Sequence, residues 1–478
     1  MKRIIKSFAV MLMAASVLVT PFRAYASSVD DVLDNDEWIS YVEKSIVVDK
    51  TTALSVAAVK GSDAGFRSWG SVDEETPIHI GSCSKAFTAL AVLLLQEDGK
   101  LSIEDSVSQY IPWWHVTYHE IDEDIKIWHL LNHCSGLPYV VIGTYTEFDV
   151  EQIARLAQDI ELESRPGSFF RYTDFAYCIL SYLVQKVSGV PFEEYIETEI
   201  MRPIGMTHSG YGLPYAQGHA YFFDSLIEHD DVQPKVNDGA ALVVTTCSDL
   251  VLWMQAQLGV LDLQDNLANA IAASHERDLT HQPSVGAPSD YFNGWYQSAD
   301  GIIWHSGLNP NYSSRLIINP SSGIAVCAVS NSTADTPYYA ARSCFIMLSG
   351  LRADSFPEIE RSFMHKCDVY ASIITVVACV LLVAAFVLFI VRKNGISKAG
   401  LIIRLAVLVP LLGFFIVLPY LMGISAGYSD FGYHAFIVWG LRSEFIMCVV
   451  LNVLVVSLIV FSFVRYLRGR RQGSCRLC

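Results

Sequence analysis

Gly81-Ser82-Cys83-Ser84-Lys85, running directly into the apolar segment Ala86–Glu97, is the stretch on which the reading of this chain turns. The hydrophobic spacing over 86–97 fits a helix. Residues three apart lie on one helix face, so Ser82 and Lys85 stand one turn apart at a helix start. A serine hydroxyl is a poor nucleophile until a neighbouring base takes its proton, and a lysine amine is such a base. Alone the pair says little, because Ser-x-x-Lys is expected about once by chance in a chain of this length. Its surroundings decide what it means.

Two more short motifs follow in order. Tyr172-Thr173-Asp174 lies 90 residues beyond Ser82, and His305-Ser306-Gly307 a further 133, inside a β-like run. Taken singly, Tyr172 reads as packing and His305 as a core strand histidine. Their flanks are more specific: Ile127-Trp128-His129-Leu130-Leu131-Asn132-His133-Cys134-Ser135-Gly136-Leu137-Pro138; Pro166-Gly167-Ser168; Pro203-Ile204-Gly205-Met206-Thr207; and His305 onward through Leu308-Asn309-Pro310-Asn311-Tyr312-Ser313-Ser314. In this order the segments resemble the serine β-lactamase and penicillin-binding-protein superfamily, in particular its class C-like branch of serine hydrolases, the β-lactamase-related domain. That branch includes D-alanyl-D-alanine carboxypeptidases, esterases and D-aminopeptidases. The resemblance spans about residues 30–350.

It implies an α/β (α+β) β-lactamase/transpeptidase-like domain. The residues point the same way. Strand signals gather at both ends of this region, in Ala53–Val59, Gly301–His305, Ser314–Ile318 and Ile324–Ser330. Helical spacing marks Ala86–Glu97, Val150–Asp159, Tyr177–Ser188 and Ser248–Leu258 between them. The expectation is an antiparallel sheet drawn from both chain ends with a helical lobe inserted.

The resemblance also assigns roles. Ser82 attacks a carbonyl and becomes acylated. Lys85, buried near a helix N-terminus, takes the serine proton as a neutral amine. Tyr172 is the second base, as a phenolate or proton shuttle. The backbone N–H groups of Ser82 and Leu308 form the oxyanion hole, with Ser306 and Gly307 lining the substrate strand. Such donors contribute about 3–4 kcal/mol each.

Two residues, Asp174 and Leu308, depart from the family pattern. Asp174 stands where Tyr-x-Asn has asparagine. An amide donates a hydrogen bond and an ionised carboxylate does not, and a carboxylate beside Lys85 holds it protonated. Leu308 places bulk beside the oxyanion donors. His305 replaces a lysine, as in many hydrolases of this branch. Being mostly neutral at pH 7, it favours esters, amides or D-amino-acid peptides not recognised by a free carboxylate.

This chemistry needs no metal or cofactor. His115/His119 and His129/His133 have zinc-compatible i, i+4 spacing without an evident third ligand. The resemblance explains the second pair as bracing a loop. The acidic run Glu120–Asp124 reads as a solvated loop.

The chain of 478 residues is 52% hydrophobic, with the excess at its C-terminal end. Residues 1–26 read as a signal peptide: Lys2, Arg3 and Lys6, the short apolar core Ser7–Thr20, then Ala24-Tyr25-Ala26. Residues 27–366 carry a net −27 of the overall −16, which excludes nucleic-acid binding by charge. Seven cysteines from Cys83 to Cys367 sit mostly in apolar stretches and read as small buried hydrophobes. Cys475 and Cys478 read as part of a bland tail.

Residues 367–478 form a membrane region. Val369–Val391, about Leu401–Met422, and Phe445–Val464 are each long enough to cross a bilayer. Pro410 and Pro419 kink the second span, and Asn452 hydrogen-bonds helix to helix in the third. Arg392, Lys393, Lys398 and Arg404 in the first connection, with Arg465, Arg468, Arg470, Arg471 and Arg476 in the tail, put both on the cytoplasmic side. Residues 27–366 then face outward from the cell membrane.

The sequence therefore predicts a multi-pass, outward-facing serine hydrolase acting on D-alanyl peptides or esters, β-lactam-like compounds or other esters and amides near the cell wall. Its partners are that small-molecule or wall-peptide substrate and the lipid bilayer; no protein partner is indicated. The competing expectation is a weakly active or inactive sensor that binds wall fragments or β-lactams and signals through the spans.

Overall fold

The computed structural model describes residues 28–138, 140, 148–230, 238–283, 290–392, 394–425 and 441–474, with the side chains of 422–425 and 471–474 excepted. The signal segment and the Cys475/Cys478 pair lie outside the described residues.

Leu54–Lys60 (β1) and Asp63–Trp69 (β2) join Asp290–Phe292 (β3), Trp295–Gln297 (β4), Ile303–Asn309 (β5), Tyr312–Asn319 (β6) and Ile324–Ser330 (β7) in one sheet. The spatial order is β3-β4-β5-β6-β7-β1-β2 and every pairing is antiparallel. β1 pairs with β7, Ala57 lying opposite Cys327, so the two ends of the domain meet mid-sheet. Alternate residues point to opposite faces of a strand, and here both faces are covered. Ala57, Val59, Cys327 and Val329 enter one core, while Val56, Ala58, Val326 and Ala328 enter another. That two-sided burial explains why β1 and β7 read as continuous apolar runs.

Asp36–Asp49 (α1) covers one face, with Trp38 in its core. Lys85–Glu97 (α2), Asp174–Ser188 (α3), Cys247–Gln257 (α4) and Asp265–Ser274 (α5) build the helical lobe on the other. Thr336–Leu348 (α6) returns beside α1, where Trp38 Nε1 donates to Ser343 Oγ at 3.0 Å. Every residue of α2 from Lys85 to Leu95 is buried. A helix that is apolar all round belongs inside a core, and α2 lies between the sheet and the rest of the lobe. Phe87 on α2 stacks on Trp253 of α4, ring centroids 3.8 Å apart.

Three long helices follow: Phe363–Val391 (α7), Lys398–Ser425 (α8) and Arg442–Ser474 (α9). Their mean hydropathy reaches 3.3, 2.8 and 2.8, and each is long and apolar enough to cross a membrane. α9 packs against both others. Asn452 Nδ2 donates to the Cys448 carbonyl one turn back in its own helix. The hairpin His219–Phe222/Ser225–Glu228 reaches the N-terminal ends of α7 and α9. At its tip, Phe223 N–H lies 3.2 Å from Asp368 Oδ1 and 2.9 Å from Ser443 Oγ.

Two sequence expectations are corrected. The helix expected over Val150–Asp159 ends at Arg155, and Ile160–Glu161 becomes a short strand pairing with Val116–Tyr118. The acidic run is solvated but not a loop, since Ile121–Glu123 pairs antiparallel with Val116–Tyr118. Six cysteines, Cys83, Cys134, Cys178, Cys247, Cys327 and Cys344, are buried and free.

Candidate active site

Ser82 lies on a single 3-10 turn, Gly81–Ser84, immediately before α2. Gly81 makes this turn possible. Its φ is +53°, and a Cβ there would sit 2.6 Å from Leu308 N. Gly307 answers it from β5, where a Cβ would come within 1.8 Å of the Ile80 carbonyl oxygen. The two glycines let the Ser82 turn and the β5 backbone touch, which brings Leu308 N beside the nucleophile's turn. Ser314 Oγ from β6 donates to that same Ile80 carbonyl at 2.7 Å and ties the turn to the sheet.

Lys85 opens α2, and its side chain is fully buried. Nζ donates to Ser82 Oγ at 3.0 Å, to Asp174 Oδ1 at 2.6 Å and to the Ala240 carbonyl at 3.1 Å. An ammonium has three donors and no acceptor, and these three partners match it. A buried charge persists only when paired and hydrogen-bonded, and both conditions hold here. The neutral-amine account from the sequence therefore meets a Lys85 whose Nζ is already hydrogen-bonded to a carboxylate, a serine and a main-chain carbonyl.

Asp174 is the first residue of α3, whose cap Thr173 accepts the Phe175 N–H at 3.2 Å. Negative charge is favourable in a helix's first turn. Tyr172, just before the cap, is half-buried and lies with its ring 4.8 Å from Lys85 Nζ. Burial, and next the Asp174 charge, push its phenol well above the ordinary value, against the smaller pull of its hydrogen bond with Ser82. The phenolate considered from sequence is thus disfavoured, and Tyr172 is a neutral phenol.

His305 is 1% exposed. Its Nδ1 lies 2.7 Å from the Ser306 carbonyl, which can only accept, so Nε2 accepts from Tyr291 O–H at 3.2 Å. Burial and then the Lys85 charge lower its pKa to about 3. It stays neutral, as the sequence implied, but its ring nitrogens are occupied within the protein. Ser306 and Leu308 alternate to the exposed side of β5, Leu308 being 37% exposed, and Arg315 Nη1 donates to Ser306 Oγ at 2.6 Å.

The fold thus gathers Ser82, Lys85, Tyr172, Asp174 and the β5 segment His305–Leu308 from positions up to 226 residues apart. Sequence reasoning missed the Ala240 carbonyl, Tyr291 and Arg315. A main-chain carbonyl leaves no side-chain signature, and Tyr291 sits on a three-residue strand too short to read. Of the other histidines, His115 bonds Asp122 and Asp159 on the surface, and His129 Nδ1 accepts the Lys126 N–H at 3.0 Å.

A β-lactamase family model matches residues 46–349. Protein flp of Staphylococcus aureus (strain COL) is 28% identical over 269 residues, covering 54% of this chain and 53% of that protein. The chain spans about half the length of the curated relatives of this kind that it matches. Among solved structures, the octameric penicillin-binding protein homologue from Pyrococcus abyssi superposes with a TM-score of 0.59 at 22% identity, covering 71% of this chain and 80% of that one. A β-lactamase/D-alanine carboxypeptidase from Pseudomonas syringae gives 0.58 at 17% identity, covering 66% and 98%.

Proposed function

The chain belongs to the β-lactamase family, and we propose that it is a serine hydrolase working through an acyl-serine intermediate. The observation that carries this reading is Lys85 Nζ at 3.0 Å from Ser82 Oγ, with the Tyr172 ring 4.8 Å from the same Nζ. Ser82 Oγ attacks the substrate carbonyl carbon. The carbonyl oxygen, gaining charge, is met by the N–H groups of Ser82 and Leu308, which Gly81 and Gly307 hold close together. Nζ first loses one proton to solvent, and the Ser82 proton then passes to Lys85. Tyr172, a neutral phenol, hands its own hydroxyl proton to the leaving group and takes back from Nζ the proton that Ser82 gave. Water then hydrolyses the acyl-serine by the reverse path.

Asp174 acts as a brake on this cycle, because its carboxylate favours the ammonium form of the base. His305, neutral and bonded on both ring nitrogens, offers no fixed cation to a substrate carboxylate. That supports D-alanyl peptides or esters, or other small esters and amides, as substrates. The three long apolar helices and the basic residues of their first connection and tail support a membrane-anchored enzyme facing outward, towards wall material. In this reading residues 1–26 are a cleaved signal, 27–366 the exterior hydrolase and 367–478 the membrane region. The sensor reading draws on one observation, the 2.6 Å Lys85–Asp174 pair that occupies the base.

Labelling of the full-length protein with a fluorophosphonate and a fluorescent penicillin, beside Ser82→Ala, separates the two. Covalent labelling lost in Ser82→Ala is the expected result. Folded protein labelled by neither reagent would exclude the hydrolase.

A further inference from the structure

His133 is the second histidine of the 129/133 pair. It lies after the short helix Ile127–Leu131, with left-handed backbone at φ +55°, and is 1% exposed. Two of its atoms hold the residues on either side of Tyr172. Its carbonyl accepts the Arg171 N–H at 2.7 Å, and its Nδ1 accepts the Thr173 N–H at 3.3 Å. Its ring lies against the Tyr172 ring at 4.3 Å between centroids, with Tyr291 at 4.7 Å and Tyr177 at 5.1 Å on other sides.

We propose that His133 is a positioning residue for the reaction proposed above: it straps the Tyr172-Thr173-Asp174 segment so that the phenol reaches Ser82 and the carboxylate reaches Lys85. The chemistry of the strap is specific. Nδ1 must be an acceptor, so the ring is the neutral tautomer with its hydrogen on Nε2. Among the described residues Nε2 is buried without a hydrogen-bond partner, with aromatic rings around the imidazole. A ring used only for packing would not need an acceptor on its Thr173 side. Thr173 cannot supply the restraint itself, since its hydroxyl already accepts from Phe175 N–H as the α3 cap. Without the Nδ1 bond, the residue between Tyr172 and Asp174 loses its tie to the segment that follows Ile127–Leu131. Displacements on the order of 1 Å in such a constellation cost about a hundredfold in rate.

The inference rests on the hydrolase reading, and its test is separable from it. His133→Asn keeps an acceptor oxygen close to the position of Nδ1, and asparagine tolerates left-handed backbone. His133→Leu keeps bulk and removes the acceptor. Fluorophosphonate labelling of the full chain is followed against reagent concentration, with hydrogen–deuterium exchange over residues 171–174 and a melting curve for each variant. We expect His133→Asn to label within about threefold of the parent. The folded His133→Leu should lose roughly 10- to 100-fold in maximal labelling rate, more than in half-saturating concentration, with faster exchange at Thr173. Equal labelling by His133→Leu and parent, or equal loss in both variants, would overturn the strap. A parent chain that is not labelled at all fails the hydrolase reading instead. In that case exchange at Thr173 still decides the strap, since unchanged protection in His133→Leu refutes it.

Discussion

Replacing Asp174 by asparagine tests the brake at the centre of the site. The pair is close and shielded: 2.6 Å between Lys85 Nζ and Asp174 Oδ1, with Lys85 fully buried and the Asp174 side chain 23% exposed. At an effective dielectric of about 20, opposite charges at this distance attract by about 6 kcal/mol. The amide oxygen of asparagine can still accept from Nζ, and a hydrogen bond to a charged group returns about 1.5–3 kcal/mol. The ammonium form therefore loses about 3–4 kcal/mol of support. If even 1.4 kcal/mol of that lowers the barrier to proton transfer from Ser82, acylation speeds up about tenfold. Fluorophosphonate labelling of Asp174→Asn at pH 7 should accordingly be at least about tenfold faster. Its pH profile should change too, since the substitution removes the carboxylate bonded to the base. The same substitution weakens the fold, because it removes the first-turn acid of α3 and the charge partner of a buried lysine. Outright loss of a buried partner costs about 3–5 kcal/mol; with the amide still accepting, a loss of about 1–3 kcal/mol is expected, read as a lower melting temperature. A folded Asp174→Asn with unchanged labelling rate and pH profile would refute the argument that Asp174 restrains Lys85.

Gly307→Ala should abolish labelling and destabilise the domain by about 3 kcal/mol or more, because its Cβ would lie 1.8 Å from the Ile80 carbonyl and drive β5 away from the Ser82 turn; denaturant unfolding and labelling check both. Acid should unfold the domain early. His305 at about 3, and His79, His129 and His275 at about 4, are held by burial below the ordinary 6.5 of a free histidine. Their folded values are depressed, so below pH 6.5 the unfolded chain binds more protons and stability drains as pH falls towards 4. The slope is up to about 1.4 kcal/mol per pH unit for each histidine; urea midpoints at pH 7.5, 6 and 5 measure it, and equal midpoints would contradict it. For the topology, a membrane-impermeant maleimide added to intact cells should leave Cys475 and Cys478 unlabelled until the membrane is permeabilised.

Much of this protein was legible as a string because its signals are local. The helix after Ser82 was visible from its apolar spacing, the interior strands β1 and β7 from their runs, and the three C-terminal helices from length and hydropathy alone. Ser82, Lys85, Tyr172, His305 and the Asp174 departure were legible because each sits in a short ordered motif. The covered second face of the sheet was not, because α1 and α6 lie at opposite ends of the domain and meet only on folding. Nor was the boundary of the helix at Val150, where pairing of Ile160–Glu161 with a distant strand outweighs local helical spacing.

What only the tertiary structure decided is how these residues are electrically and geometrically joined. Sequence placed a carboxylate somewhere near Lys85. Folding set it 2.6 Å from Nζ and supplied the Ala240 carbonyl as third acceptor. It also turned His305 inward onto Tyr291 and made His133 a tether across Tyr172. Motif order records which side chains are available, because their chemistry belongs to each residue. Protonation and reach depend on burial and on partners tens to hundreds of residues away, and those are fixed only when the sheet closes from both ends around α2.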